Sequence, residues 1–494
     1  MYLVFRALEA ERTLLYDLVF RARNAELIIN TLGLAAGVVA LSLLVALPLA
    51  WLTTSTNLRG RFAVTILCML PLATPGYVVA YGLLSLGSPV GPMRELFGIS
   101  MMRVTGFWGA LLTLAIYNFP FMYMNLRTAF VESDPTIIEA AKSLGYGPVR
   151  RFLRITLPQL RPAILAGTML IGLYVFGDFG VVSLMRFETI SYAIFQQYIA
   201  AFDRIYAAWL ALMLIGIAIL LLIPEFFLLR GLRIGRSGKS TRSRRKLHDL
   251  GRWRWAAVGF TAVVGLFSVV IPNSVMFFWF SRQLGHIDVP GVLGALGDSL
   301  AVSFPAALLA TALAVPVAFL ERRHETGLTQ LLGRSVYVGY ATPPLALALG
   351  YIFFVLRSAP WLYQTAALLV IVYAIHFLAQ ALGPIRTSLY LATPRVEEAS
   401  RSLGQGAFET IRKVTFPLLR PGLLGAGAIV FLSCIKELPL TFLLSPLNFQ
   451  TLALRVYSYT SEAMFAEAAP HAVTIVVLSA LLIGVLFKKS VEFS

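Results

Sequence analysis

Glu139-Ala140-Ala141-Lys142-Ser143-Leu144-Gly145 returns further along the chain as Glu398-Ala399-Ser400-Arg401-Ser402-Leu403-Gly404, an offset of 259 residues. At that offset the match runs on without a gap through Gly147 and Gly406, Thr156 and Thr415, Pro158 and Pro417, and Arg161-Pro162 and Arg420-Pro421. Upstream it takes in Arg127-Thr128 and Arg386-Thr387, then Pro135 and Pro394. An offset of 268 lays Pro48 on Pro316 and Ala73-Thr74-Pro75 on Ala341-Thr342-Pro343. Self-similarity at a fixed spacing marks a duplicated unit. The chain is two copies of one architecture.

The setting of these repeats is apolar. Of 494 residues, 58% are hydrophobic and 13% charged, against about 25% charged in soluble domains. Lys+Arg number 41 and Asp+Glu 24, a formal charge of +17, but a mean hydropathy of +0.78 excludes a nucleic-acid binder and a disordered chain. Cys68 and Cys434 both lie in apolar runs, so neither a disulfide framework nor a Cys-based zinc site is available. A helix needs roughly 20 mainly apolar residues to cross a bilayer. Such runs occur near 27–51, 62–86, 104–130, 162–186, 207–229, 255–280, 299–320, 336–356, 361–385, 422–445 and 468–487. Their continuous apolarity predicts helices, since barrel strands would alternate. The expected fold is therefore an all-α membrane protein of about 11 transmembrane helices in two parallel pseudo-repeats. Residues 1–229 form the first repeat, 230–254 a basic linker and 255–494 the second repeat.

Positive charge orients the spans. The linker holds ten Lys or Arg and one acid, Asp249, which predicts a cytoplasmic location. Alternating outward puts Arg59, Arg61, Arg322, Arg323, Arg334 and the Lys488-Lys489 tail on the same side, with the loops at 87–103 and 282–298 outside. Residues 1–26 then lie outside without a preceding span, and they lack the apolar core of a secretory signal. At the 268 offset Met1 falls on residue 269, within the span at 255–280. The expectation is a twelve-helix pattern, truncated here either because the first helix has been lost or because the chain starts late.

Residues 131–161 and 390–420 are long polar insertions at equivalent cytoplasmic positions. Asp134-Pro135 and Thr393-Pro394 read as an N-cap followed by Pro at the first helical position. A short helix runs from each to Gly145 or Gly404, where glycine permits a left-handed ending. A second short helix is expected to end at Pro158 or Pro417. Such a paired knob suits a groove on another protein. An amphipathic element resting on headgroups through Arg150, Arg151 and Arg154 is the competing reading; duplication at one spacing favours docking.

These two segments resemble the EAA loop of ATP-binding-cassette importer permeases, through E-A-A-K-S-L-G-Y-G with L-P-Q-L-R-P and E-A-S-R-S-L-G-Q-G with F-P-L-L-R-P. The resemblance implies a type I importer permease fold and assigns ATPase coupling to Glu139, Ala140 and Gly145 and to Glu398, Ala399 and Gly404. Ser400 stands where the motif has its second alanine. It also implies a multi-pass protein of the bacterial inner membrane, an external substrate-binding protein and a cytoplasmic ATPase recruited in two copies. ATP and Mg belong to that partner, and no cofactor is expected in this chain.

No enzyme chemistry of its own is expected. Gly238-Lys239-Ser240 is not a P-loop, because Arg233 stands where that motif needs glycine. His248, His286, His324, His376 and His471 lack metal-ligand spacing, and no Gly-x-Ser-x-Gly elbow occurs.

Asp178, in Gly177-Asp178-Phe179-Gly180, aligns at the 259 offset with Glu437, in Lys436-Glu437-Leu438-Pro439. Charges within spans are costly and face a cavity or a partner, so both are candidates for the translocation path; the alternative is local neutralisation, Glu437 by Lys436 or a nearby arginine. Glu225, at a span's end, reads as interfacial. The stretches F-G-D-F-G-V-V-S-L, F-D-R-I-Y-A-A-W-L-A and K-E-L-P-L-T-F-L-L-S-P are similar to fused ferric-iron permeases. Hard oxygen ligands suit ferric iron. Thiamine permeases share the fused architecture, and polyamine, sulfate and molybdate permeases are related alternatives. A secondary transporter with parallel repeats is the competing class, but it would not need paired cytoplasmic knobs.

Overall fold

The computed structural model describes residues 2–8, 21–133, 135–201, 203–231, 247–323, 326–391 and 394–492. The expected N-caps Asp134 and Thr393, the Gly238-Lys239-Ser240 string and most of the basic linker lie outside these, as do the side chains of Glu225, Lys488 and Lys489. Among the described residues, nine helices are long and apolar enough to cross a membrane. Two bent pairs bring the number to as many as eleven: Arg61–Ala73 with Gly76–Leu86, at 91°, and Gly327–Ala341 with Pro344–Ser358, at 105°.

Each bend falls on a Thr-Pro step. Thr74 (φ −97°, ψ 120°) and Thr342 (φ −72°, ψ 125°) are extended, as a residue preceding proline must tend to be. Pro75 and Pro343 carry no N–H to continue the helical ladder. The repeat thus preserves a break, which hydropathy alone reads as one straight span.

Two other expectations are corrected in both repeats. The spans expected over 162–186 and 422–445 stop at Gly177 and Ile435. The second short helix of each loop does not end at Pro158 or Pro417; it runs on into the following span, Pro148–Gly177 or Ala407–Ile435. A single wide turn at Phe152–Thr156, and its equivalent at Ile411–Thr415, precedes the proline in each case. There the Leu157 N–H reaches back five residues to the Phe152 carbonyl. Wide turns of this kind absorb irregularity inside α-helices.

The chain forms two compact units, residues 10–282 and residues 1–9 with 283–494. In the first, Ala22–Ser55 lies along Gly106–Glu132 and Leu157–Gly177. In the other, Val289–Arg323 lies along Ala366–Leu391 and Phe416–Ile435, the equivalent helices of the second repeat. The unit boundary differs from the repeat boundary at two elements, the helix 251–282 and the short helix Tyr2–Leu8. Residues 251–282 belong by alignment to the second repeat but pack within the first unit. A Cβ on Gly82 would lie 3.4 Å from the Pro272 Cα. In the other unit the short helix Tyr2–Leu8 packs on Pro344–Ser358, and Leu3 Cγ lies 3.8 Å from where a Cβ on Gly350 would be. Gly350 is the 268-offset counterpart of Gly82, and residues 3 and 4 are counterparts of 271 and 272. Residues 2–8 therefore occupy, in their unit, the place that the middle of helix 251–282 occupies in its own.

A clip fixes the start of helix 251–282. His248 N donates to the Ser55 carbonyl (2.9 Å) and Asn57 N to the His248 carbonyl (3.0 Å). The Asn57 side chain donates to Asp249 (2.8 Å) and accepts from Leu250 N (3.1 Å). Leu250 packs with Leu52, Leu58 and Ala257 beneath it. The Gly251 N–H and the Asn57 amide hold the Asp249 carboxyl below the usual carboxylate range.

Candidate coupling and translocation sites

Pro135–Ser143 and Pro394–Ser402 are the expected short helices. Each ends on a left-handed glycine, Gly145 at φ +79° and Gly404 at φ +85°. In the first, Tyr146 N bonds to the Ala141 carbonyl and Gly145 N to the Lys142 carbonyl, both at 3.0 Å. Gln405 N to Ser400 (3.3 Å) and Gly404 N to Arg401 (2.9 Å) repeat the pattern. This double closure satisfies the last helical carbonyls and needs a residue that tolerates positive φ; alanine there costs about 1–2 kcal/mol.

The turn decides what each loop shows. Ala141 and Ser400, the motif's second small residue, are buried, and Ser400 spends its hydroxyl on Gln405 and Thr410. Glu139, Ala140, Glu398 and Ala399 are exposed. Leu144 and Leu403 are 76% and 84% exposed, although leucine is normally a buried residue. Each loop therefore presents a carboxylate and a bare leucine on a short helix closed by its glycine turn.

The two carboxylates within the apolar segments also share one geometry. The Asp178 Oδ1 accepts from Val181 N at 2.8 Å, and the Glu437 Oε1 accepts from Leu440 N at 3.2 Å. Each caps the short helix that follows the break, Gly180–Leu184 or Pro439–Leu444. A carboxylate satisfies otherwise unpaired N–H groups at such a start. That explains why the long helix stops there. The Asp178 carbonyl further accepts from the Ser191 hydroxyl (2.7 Å) and the Glu437 carbonyl from Thr441 (2.6 Å). Both carboxylates are partly buried.

After the cap the chain doubles back in both repeats. Arg186 and Asn448 take positive φ, and Thr189 and Thr451 then cap the next short helix. The turn is pinned to the first long helix of its unit, Ala22–Ser55 or Val289–Arg323: Ile190 N donates to Thr31 (3.0 Å), and Leu452 N to Ser299 (2.9 Å). Asn30 donates to the Glu188 carbonyl, and Asp298 accepts from Gln450 N.

Beside the caps the repeats part company, at positions missed when each half is read alone. Leu114, Tyr117, Phe121, Tyr174 and Val182 of the first repeat align at the 259 offset with Tyr373, His376, Gln380, Ser433 and Thr441. Tyr117, Phe121 and Tyr174 form an aromatic cluster, with Phe121 stacked on Tyr174 at 4.9 Å. A Cβ on Gly76 would lie 3.7 Å from both the Asp178 Oδ2 and the Tyr117 ring. In the second repeat the same positions carry hydrogen bonds: Ser433 to Gln380 (2.6 Å), Gln380 to Tyr340 (3.3 Å), and Tyr373 with Thr441. The signal was in the sequence, as polar residues three and four apart that only the superposed repeats isolate.

Comparison with known proteins follows this duplication. The profile of the binding-protein-dependent transport system inner membrane component family matches residues 42–232 and again 310–492. The chain is 30% identical to the Fe(3+)-transport system permease protein FbpB 2 of Haemophilus influenzae over 492 residues, which covers 99% of this chain and 94% of that one. The molybdenum transport system permease protein ModB of Azotobacter vinelandii is 30% identical over 37% of this chain and 83% of its own. The sulfate transport system permease protein CysT of Salmonella typhimurium is 30% identical over 36% of this chain and 66% of its own.

Proposed function

The chain belongs to the family of binding-protein-dependent transport system inner membrane components, as a tandem permease of the type I ATP-binding-cassette importer fold, and on that premise we propose that it is the translocation subunit of a ferric-iron importer. The similarity that spans nearly the whole chain, to a permease named for Fe(3+), supports iron over other cargo. Coupling is assigned to Pro135–Ser143 and Pro394–Ser402. The observation that carries this is the duplicated platform of Glu139 with Leu144 and of Glu398 with Leu403, held by the same glycine closure.

In this reading the chain hydrolyses nothing. ATP and Mg are held by a cytoplasmic partner, and two docking helices in one chain engage two copies of it. Closure of the ATPase pair draws the platforms, and the continuous helices Pro148–Gly177 and Ala407–Ile435 carry that motion to the caps at Asp178 and Glu437. Nucleotide shifts the inward and outward states only through its different affinity for them. The loops, the basic linker and the C-terminus face the cytoplasm by their Lys and Arg content, and an external binding protein delivers the cargo.

A second reading, an oxyanion importer, is favoured by the molybdenum and sulfate relatives, which match about a third of the chain. ATPase activity of the complex in proteoliposomes, with binding protein and ferric iron, molybdate, sulfate or thiamine in turn, decides between them. Stimulation by iron alone is expected; stimulation by an oxyanion or thiamine instead overturns the ferric reading. Uptake without the ATPase, driven by an ion gradient, would point to a secondary transporter.

A further inference from the structure

The polar face of the second repeat stands where the first repeat has the aromatic cluster of Tyr117, Phe121 and Tyr174. His376 is 4% exposed and lies on Ala366–Leu391, one turn from Tyr373 and one from Gln380. Its Nδ1 is 3.2 Å from the Gly339 carbonyl. A carbonyl only accepts, so Nδ1 carries the proton, and in the neutral ring the lone pair is then on Nε2. No other hydrogen bond to the His376 ring occurs among the described residues. The ring packs beside Tyr340 and Phe377 at 5.7 and 4.8 Å between centroids. Gln380, Ser433 and Tyr340 continue the polar face and are each partly exposed.

Such a set is out of place against lipid. Polar groups at depth in a span face protein or a water-filled cavity. Packing alone does not require them either, because the first repeat fills the same three positions with Tyr117, Phe121 and Tyr174 on the same scaffold. We propose that His376, Gln380, Ser433 and Tyr340 form the cargo-contacting wall of the translocation path in the second repeat, with the His376 Nε2 as an electron-pair donor to the passing metal ion. A neutral imidazole nitrogen suits a transition-metal cation; an oxyanion offers it nothing to bind. Contact is by exchange of one water on the ion for the ring nitrogen, with no change of oxidation state. A single strong ligand holds the ion only in transit, as conduction requires binding weak enough to release. This assignment rests on the ferric-iron reading above.

Ferric-iron uptake into proteoliposomes holding the assembled permease, ATPase and binding protein tests both together. His376→Phe keeps a ring of similar size and removes the lone pair, and His376→Ala removes both. The expected result is a tenfold or greater loss of iron uptake in both variants at wild-type complex yield, with a smaller loss for Gln380→Leu. Wild-type uptake in His376→Phe would assign the ring to packing and overturn the proposal. If neither His376 variant assembles, Gln380→Leu decides, and an unaltered rate there overturns it. Failure of the wild-type complex itself to take up iron overturns the ferric-iron reading and this wall with it; iron uptake by the wild type that is unchanged in the variants overturns the wall alone.

Discussion

At the loop end of the second repeat, Glu397 is bound by Arg323 and by the Thr415 hydroxyl, the latter at 3.0 Å. Nearby Arg386 grips Glu321 at 2.6 Å and Tyr337 at 2.9 Å. The equivalent positions of the first repeat are Ile138, Ser55, Thr156, Arg127 and Thr53. There the contacts are neutral: the Thr53 and Thr65 hydroxyls meet the Tyr123 phenol at 3.0 and 3.1 Å. The second loop is thus held by an ion pair that the first, with Ile138 at the position of Glu397, cannot form. The shared shape is what two copies of one partner would demand. On the docking reading the anchor is free to differ, because a partner would meet only the exposed face.

That comparison is open to attack, most forcefully at the exposed face itself. Replacing Glu139 and Glu398 together with Ala is expected to return binding-protein-stimulated ATPase activity to its basal rate and lower uptake at least tenfold. Normal uptake in the double variant would show that the platforms do not dock. Singly, Glu139→Ala is expected to cost more than Glu398→Ala, since the second loop keeps its Glu397 anchor; equal losses would mean that anchoring does not affect docking.

The caps give a smaller effect. Asp178→Ala should destabilise the membrane domain by about 1 kcal/mol, the usual worth of an N-cap, read as a lower thermal midpoint in detergent. Asp178→Asn retains a good cap and should retain that midpoint while lowering uptake. If the Asn variant transports as the wild type does, the carboxylate is a cap and nothing more.

Smaller again is Glu397→Gln. The partners are half-exposed Arg323 and largely buried Glu397, so a loss under about 1 kcal/mol is expected after screening. Added salt should weaken the wild type at this loop and leave the variant unmoved, as hydrogen exchange at Pro394–Ser402 would register; the first loop should be indifferent to salt in both. The smallest effect concerns pH at the linker clip. The Asp249 carboxyl is lower in the folded state than in the unfolded chain, so its stabilisation is present above about pH 4 and fades as pH falls through the depressed value. Protease cleavage around residues 247–250 should rise only below that point, and Asp249→Asn should remove the pH dependence.

Much of this was legible in the sequence. Eleven apolar runs gave the span count, and the glycine after each Glu-Ala pair gave the loop geometry, because those features are local. The breaks at Gly177 and Ile435 were hidden because apolarity continues through them; what stops the helix is a side-chain oxygen on a backbone N–H, to which hydropathy is blind. Asp178 and Glu437 were singled out for their charge, and their capping role came from the structure. The continuity through Pro158 and Pro417 was missed because a wide turn leaves no compositional mark. Least legible was the packing of residues 251–282 within the first unit, since no residue pattern names a distant neighbour.

That exchanged helix bears on how the protein is made. The ribosome delivers residues 21–231 before residues 251–282, yet Gly82 has its packing surface supplied by Pro272. The first unit must therefore wait, already threaded into the bilayer, with one flank unclosed until the opening helix of the second repeat emerges. The clip at His248, formed just ahead of that helix, sets where it lands. Assembly order is thereby written into the chain: the first half is finished by the second.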